Sequence, residues 1–216
     1  GNASAPANTT SNIQNTWDTN YKGVWHLGNG VTLSGADSTS SGLNQTNYGA
    51  SAISGKIDGA AGVAGVLESS GAVPTQNDTA RTLEIWFKSA SNGGSVYQMF
   101  SQGWGGSGKS SFSLAFNSAS GRLSAYQNAA EIRYFSWTYD ANWHRLAISY
   151  PGGGINNASM YLDGVAQTTS GSTTLLTTNT AYLDIGHSVG DPTHDFNMGG
   201  LDEGRMSNIV RSADWI

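Results

Sequence analysis

Short runs of alternating apolar and polar residues, broken every few positions by Gly, Ser or Asn, make up most of this sequence. The run Arg81–Lys88 (RTLEIWFK) shows the pattern. Successive strand residues point to opposite faces, so Leu83, Ile85 and Phe87 share one face and Glu84, Trp86 and Lys88 the other. Further runs of the same kind are Tyr21–Leu27, Val96–Ser101, Ser111–Asn117, Arg122–Gln127 and Ile132–Thr138, then Trp143–Tyr150, Ser159–Asp163, Ala181–Gly186 and Leu201–Ser207. Asp163-Gly164 separates two such runs and has the chemistry of a hairpin turn that needs positive φ. No segment sustains a helical period, and a single helical turn is expected at Ser212–Trp215. Many short strands at near-regular spacing predict an all-β fold, a two-sheet antiparallel β-sandwich of jelly-roll type.

Composition narrows the function classes. The chain has 216 residues, of which 29 are Gly and only 12% are charged, and it carries a net charge of −5. With 10 basic against 15 acidic residues there is no electrostatic footprint for nucleic acid. The absence of cysteine removes disulfides, thiolate metal sites and thiol nucleophiles. No apolar run approaches the roughly 18 residues that cross a bilayer, and the most apolar stretch, Gly59–Leu67, is mostly Gly and Ala. Seven Trp, nine Tyr and six Phe are enough for one real core, which excludes disorder. The first residues are polar and lack the basic and apolar regions of a signal peptide. Residues 1–17 are therefore expected to be a linker, and 18–216 a monomeric module of a longer chain.

The runs TLEIWFK, WHRLAISY, MYLDGVAQT, LDIG and FNMGGLDEGRMSNIVRSADWI, in this order, resemble bacterial laminin-G-like domains of the concanavalin A-like lectin/glucanase superfamily. The opening segments NYKGVWHLGNG, ADSTSSGLNQTNYG and GKIDGAAG also match, so the resemblance covers residues 18–216. The chain departs from the family pattern at Gly204, where Val is usual, and at Asn29, where an acidic residue is common. The first departure is expected to loosen the last strand. The resemblance implies two sheets packed face to face, carbohydrate binding, often a structural calcium ion, and a place in secreted or cell-surface bacterial proteins.

Hydrolytic members of that superfamily carry their carboxylates at alternate positions of one strand, which sets two carboxyl groups about 5–5.5 Å apart for a retaining mechanism. The four glutamates, Glu68, Glu84, Glu131 and Glu203, have no second carboxylate two or four positions away on their own strands. Asp202 and Glu203 are adjacent and point to opposite faces. No Gly-x-Ser-x-Gly elbow occurs, and His26 and His144 are expected to be half-buried, hydrogen-bonded strand residues. His187 and His194 have no third histidine nearby to complete a zinc site. An enzyme is not expected.

The binding candidates come from residue chemistry. Exposed aromatic rings stack on the apolar faces of sugars, and nearby polar side chains hydrogen-bond the hydroxyls. Trp104, set among glycines in SQGWGGSGKS, is one platform, and Tyr134 and Trp137 in EIRYFSWT are others. The segment HSVGDPTHDFNMGG concentrates His187, Asp191, His194, Asp195 and Asn197. Calcium takes six to eight oxygen ligands. Asp202 is the leading candidate, with backbone carbonyls near Gly28 and Asn29 as the resemblance implies, and Asp37 is the second. The expected function is a calcium-stabilised, non-catalytic carbohydrate-binding module, lectin-like and extracellular or on the bacterial cell surface. Its partner would be a glycan or polysaccharide. The alternatives are a module that binds a cell-surface protein or peptide in adhesion, and a spacer without a ligand.

Overall fold

The alternating runs become strands throughout the computed structural model, which describes residues 13–28, 30–62, 65–69, 71–73, 75–103, 111–179, 182–187 and 194–216. Eighteen strands are formed among the described residues. They are β1 (Tyr21–Trp25), β2 (Leu27–Gly28), β3 (Leu33–Ser34), β4 (Gln45–Tyr48), β5 (Ala52–Ser54), β6 (Gly59–Gly62), β7 (Val66–Ser69), β8 (Arg81–Ser89) and β9 (Val96–Gln102). The rest are β10 (Phe112–Asn117), β11 (Arg122–Gln127), β12 (Ala130–Ser136), β13 (Trp143–Tyr150), β14 (Ser159–Leu162), β15 (Val165–Ala166), β16 (Ser170–Gly171), β17 (Leu183–Ile185) and β18 (Gly199–Ser207).

Two eight-stranded antiparallel sheets form the predicted sandwich. Sheet I runs β15-β14-β13-β8-β18-β6-β5, with β1 also paired to β18, and sheet II runs β16-β12-β11-β10-β9-β17-β7-β4. Between them lie the alternate apolar positions. Leu83, Ile85, Phe87, Leu146, Ile148 and Trp25 come from sheet I, and Phe100, Phe112, Leu114, Phe116, Leu123 and Ile185 from sheet II, all fully or almost fully buried. At about 25 cal/mol per Å² of apolar surface removed from water, this continuous core is the main stabilising term.

Three local features differ from or refine the expectations. Gly204 does not loosen β18. It stands opposite Trp25, and a Cβ there would approach Ile185 Cδ1 to 3.0 Å, so the indole and Ile185 fill the space a Val would use. A bulge at the same point, with Glu203 at φ 49°, turns the strand so that Asp202 and Glu203 are both buried. Asp163-Gly164 forms the expected tight turn with φ of 52° and 81°. Its carboxylate also holds His144 Nδ1 at 2.7 Å and accepts the Arg145 N–H at 2.8 Å. The predicted helical turn at Ser212–Trp215 is a hydrogen-bonded turn closed by Trp215 N–H to Ser212 O, and it does not extend into a helix.

Candidate functional site

On the outward face of sheet I, register places side chains in rows that cross the strands. One row reads Trp143, Lys88, Gly200 and Gly62 on β13, β8, β18 and β6. Two residues along, the next outward row reads Arg145, Trp86 and Asp202. The glycines matter here, because a Cβ at Gly200 would stand 2.9 Å from the Trp143 ring and 2.8 Å from Ile53 Cδ1. Without it, the half-buried indole lies against the sheet and forms the wall of a cavity of about 410 Å³. The lining combines apolar Trp143, Ile53 and Met198 with polar Asn197, Lys88, Ser54 and Ser91. An apolar floor with a few directional polar groups at its edge is the make-up of a small-molecule or sugar site.

Asp202, two residues along β18 from Gly200, supports the β5 side of this cavity. Its Oδ2 accepts the N–H groups of Lys56 at 2.8 Å and Ile57 at 3.0 Å, and its Oδ1 accepts the Glu203 N–H at 2.7 Å. The carboxylate is fully buried, and burial pushes it up to about 6 even though the backbone donors favour its charged form. It therefore pins the turn after β5, which carries Ile53 and Ser54 into the cavity lining and sets Lys56 Nζ 4.8 Å from the centre of the Trp86 ring.

The outward face of sheet II is built differently. Glu131 accepts hydrogen bonds from Ser124 at 2.6 Å, Asn117 at 2.9 Å and Arg122 at 2.7 Å, and Arg122 in turn lies 3.9 Å over the Tyr134 ring. Burial would raise the Glu131 carboxyl, but these donors outweigh it and hold the group below its ordinary range. Farther along, Asp184 and Glu68 are directly opposed on β17 and β7. Asp184 is fully buried with Oδ2 unpaired, and burial, reinforced by Glu68, pushes its carboxyl up to about 8. His187 Nδ1 lies 2.8 Å from Asp195, and Ser101 Oγ donates to the His187 carbonyl at 2.7 Å. Burial alone would lower the His187 imidazole; Asp195 reverses that and raises it.

The residues singled out from the sequence are thus divided between faces. Asn197 is exposed in the sheet I cavity. Tyr134, His187 and Asp195 belong to sheet II or its covering segment, where Gln98 bridges Asp195. His194 is half-buried on the same segment. Trp137 is no free platform. It packs edge-on against Phe87, Phe116 and Tyr139 beside the core, with the His144 ring 5.5 Å away. Trp104, Asp191 and Asn29 lie outside the described residues. His144 is half-buried and clasped by Asp140 and Asp163 as expected, whereas His26 is exposed and bonded to Glu203 at 2.6 Å.

The two carboxylates expected to hold calcium, Asp202 and Asp37, do not fit the ion in this arrangement. Every oxygen of Asp202 already faces backbone N–H groups. Asp37 accepts from the Val24, Thr39 and Leu43 N–H groups and from the Thr39 hydroxyl, all within 3.0 Å. Such donors present positive hydrogens where a cation would need open lone pairs. Gly28, at φ 104°, serves the tight β2–β3 hairpin. Among the described residues no three His, Cys, Asp or Glu side chains converge as a metal-binding group.

Two features of the site escaped the sequence. Trp143 was legible as a strand residue but not as a cavity wall, because that depends on Gly200 two strands away. The Asp184–Glu68 pair spans two strands, and a search along single strands does not see it.

A comparison with curated proteins finds no match. Solved structures similar in fold include domain 4 of AbnA, a GH43 extracellular arabinanase from Geobacillus stearothermophilus, in complex with arabinotriose. That match has a TM-score of 0.64 and 16% identity, covering 90% of this chain and 95% of that one. The binding domain of Paraclostridial Mosquitocidal Protein 1 matches with a TM-score of 0.63 and 12% identity over 91% of this chain and 50% of its own. A Trypanosoma rangeli sialidase mutant displaying trans-sialidase activity matches with a TM-score of 0.61 and 16% identity over 90% and 32%. The fold is therefore shared by enzymes and by binding domains, and this chain spans half or less of the latter two. Residues 58–216 match the family described as the concanavalin A-like lectin/glucanases superfamily, and with most of its length inside that match the chain belongs to it.

Proposed function

We propose that this chain is a non-catalytic carbohydrate-binding module, part of a longer extracellular or cell-surface bacterial protein, and that its glycan seats in the sheet I cavity against Trp143. The observation that carries this reading is the cavity itself: a half-buried indole flanked by Asn197, Lys88, Ser54 and Ser91. Sugars need that pairing of an apolar platform with directional hydrogen-bonding groups. The arabinotriose complex of the similar arabinanase domain supports a saccharide role for the fold.

The carboxylates support the non-catalytic side. Glu131 and Glu203 are engaged by two or more side chains each, and Glu84 is buried near Arg145. Asp184, the one carboxyl among the described residues set opposite another across strands, is fully buried, and both members of a hydrolytic pair must reach the sugar. Calcium has no part in this reading.

The test is a glycan array followed by titration of the hits with the wild type, Trp143→Ala and Gly200→Val. Both variants should weaken glycan binding by about tenfold or more, a loss of roughly 1.4 kcal/mol. Failure of the wild type to retain any glycan at millimolar concentration overturns the proposal. So does unchanged affinity in Trp143→Ala, and so does hydrolysis of a bound glycan.

A further inference from the structure

We infer that the glycan read by this site is acidic, its carboxylate or sulfate groups met by Lys88 and Lys56, and that the bound chain runs from the Trp143 cavity across Trp86. The inference rests on the carbohydrate reading above and specifies the chemical class of its ligand. It begins from how this protein spends its cations. Arg122, Arg145, Arg205 and Arg211 each stand within 4 Å of a carboxylate of the protein itself. Lys88 and Lys56 do not: among the described residues neither has a carboxylate partner, and both are exposed. In a chain with 15 acidic residues against 10 basic ones, two ammonium groups without a carboxylate partner on one sheet face, one of them resting on the Trp86 ring, are a local concentration of positive charge.

Geometry joins the two lysines into one track. Lys88 lines the cavity and pairs in register with Trp143, while Trp86 lies two residues back on the same outward face of β8, about 7 Å along the strand. Lys56 sits above that second indole. Two aromatic platforms, each with an ammonium beside it, thus follow one another along β8, and this repeat suits a polymer whose sugars carry negative charge. Two carboxylates of the same face, Asp202 and Glu84, are withdrawn from the cations. Asp202 is buried under its N–H donors, Glu84 is buried near Arg145, and Asp140 and Asp163 clasp His144.

The test measures affinity for uronate polymers (polygalacturonate, alginate), sulfated polymers (carrageenan, chondroitin sulfate) and neutral counterparts such as galactan. An acidic polymer should bind about tenfold or more tightly than its neutral counterpart, with affinity falling as salt rises from about 20 to 200 mM. Preference for the uronates or for the sulfated polymers identifies which anion is read. Lys88→Gln and Lys56→Gln should each lose most of that preference with an unchanged melting curve, while Lys88→Arg keeps it. Neutral glycans bound as tightly as acidic ones, with no effect of salt or of either Gln variant, would overturn the acidic assignment and leave the carbohydrate reading standing. Absence of binding to every polymer, charged or neutral, would overturn both.

Discussion

The outward faces of the two sheets use the same residue types and reach opposite outcomes. On sheet II, Glu131 is met by Ser124, Asn117 and Arg122, and Arg122 is stacked on Tyr134, so donors and acceptors are spent on one another. The middle of that face is also buried: Ser101, Ser113, Ser124 and Asp184 are all at 2% exposure or less. On sheet I the interior carboxylate, Asp202, is spent on a backbone turn, and Lys88, Asn197 and the Trp143 ring remain open to solvent around a cavity. A polar, aromatic surface is therefore not by itself a binding surface. What separates the Glu131 web from the Trp143 cavity is whether the hydrogen-bonding capacity has already been used inside the protein.

The largest effect expected from breaking this contrast is at Asp202. Asp202→Ala strands three backbone N–H groups, costing about 2–4 kcal/mol, and frees the turn that follows Ile53 and Ser54 of β5, so denaturant midpoint and glycan affinity should fall together. On the closed face, Glu131→Ala removes the acceptor of a half-buried web and should cost about 2 kcal/mol, read by chemical denaturation, without moving glycan affinity. If Glu131→Ala abolished binding while Trp143→Ala did not, the assignment of the two faces would be reversed.

Asp184 predicts a pH effect of intermediate size. Its folded-state value of about 8 lies above that of an unfolded Asp, so the folded protein binds the extra proton. The stability it contributes is present at low pH, is lost as pH rises from about 4 to about 8, and does not return above that. Asp184→Asn should therefore raise Tm at pH 9 and change it little at pH 4. The smallest effect is at Asp18, which Arg211 holds down to about 2 through two 2.8 Å contacts. A depressed carboxylate stabilises above its unfolded value and ceases to do so as pH falls toward 2. Because Asp18 is 41% exposed, Asp18→Asn should cost under about 1 kcal/mol at neutral pH and only a small part of that at pH 2.

The sandwich was readable because alternation is written into each long strand separately. Leu83, Ile85 and Phe87 face the core as their spacing requires. Strands β4 to β7 were not readable, since segments such as Gly59–Gly62 carry Gly and Ala, whose burial comes from neighbouring chains and not from their own hydrophobicity. The candidate site was legible only in part. Asn197 was identified from a cluster of polar residues, but Trp143 becomes a platform through Gly200 and Ile53, which are distant in sequence. Asp202 was marked as a calcium ligand, whereas its oxygens hold a backbone turn. The nature of that task depended on where Lys56 and Ile57 place their N–H groups, which no local pattern encodes.

The pairing of β1 with β18 sets how the domain would respond to mechanical load. The two strands are antiparallel, and Tyr21, the first residue of β1, stands opposite Ser207, the last of β18. Tension applied through the segments that lead into β1 and out of β18 would act at one end of the ladder and peel it open bond by bond, a low-force route compared with shearing all the bonds at once. Asp18 and Arg211 grip each other at the mouth of that fork, with the guanidinium 4.2 Å over Tyr21 and 5.2 Å over Trp215. The clasp adds little at equilibrium, yet together with Trp17 against Tyr21 and Ile216 against Ala147 and Tyr161 it would have to give way before the ladder opens, and so acts as part of a mechanical latch.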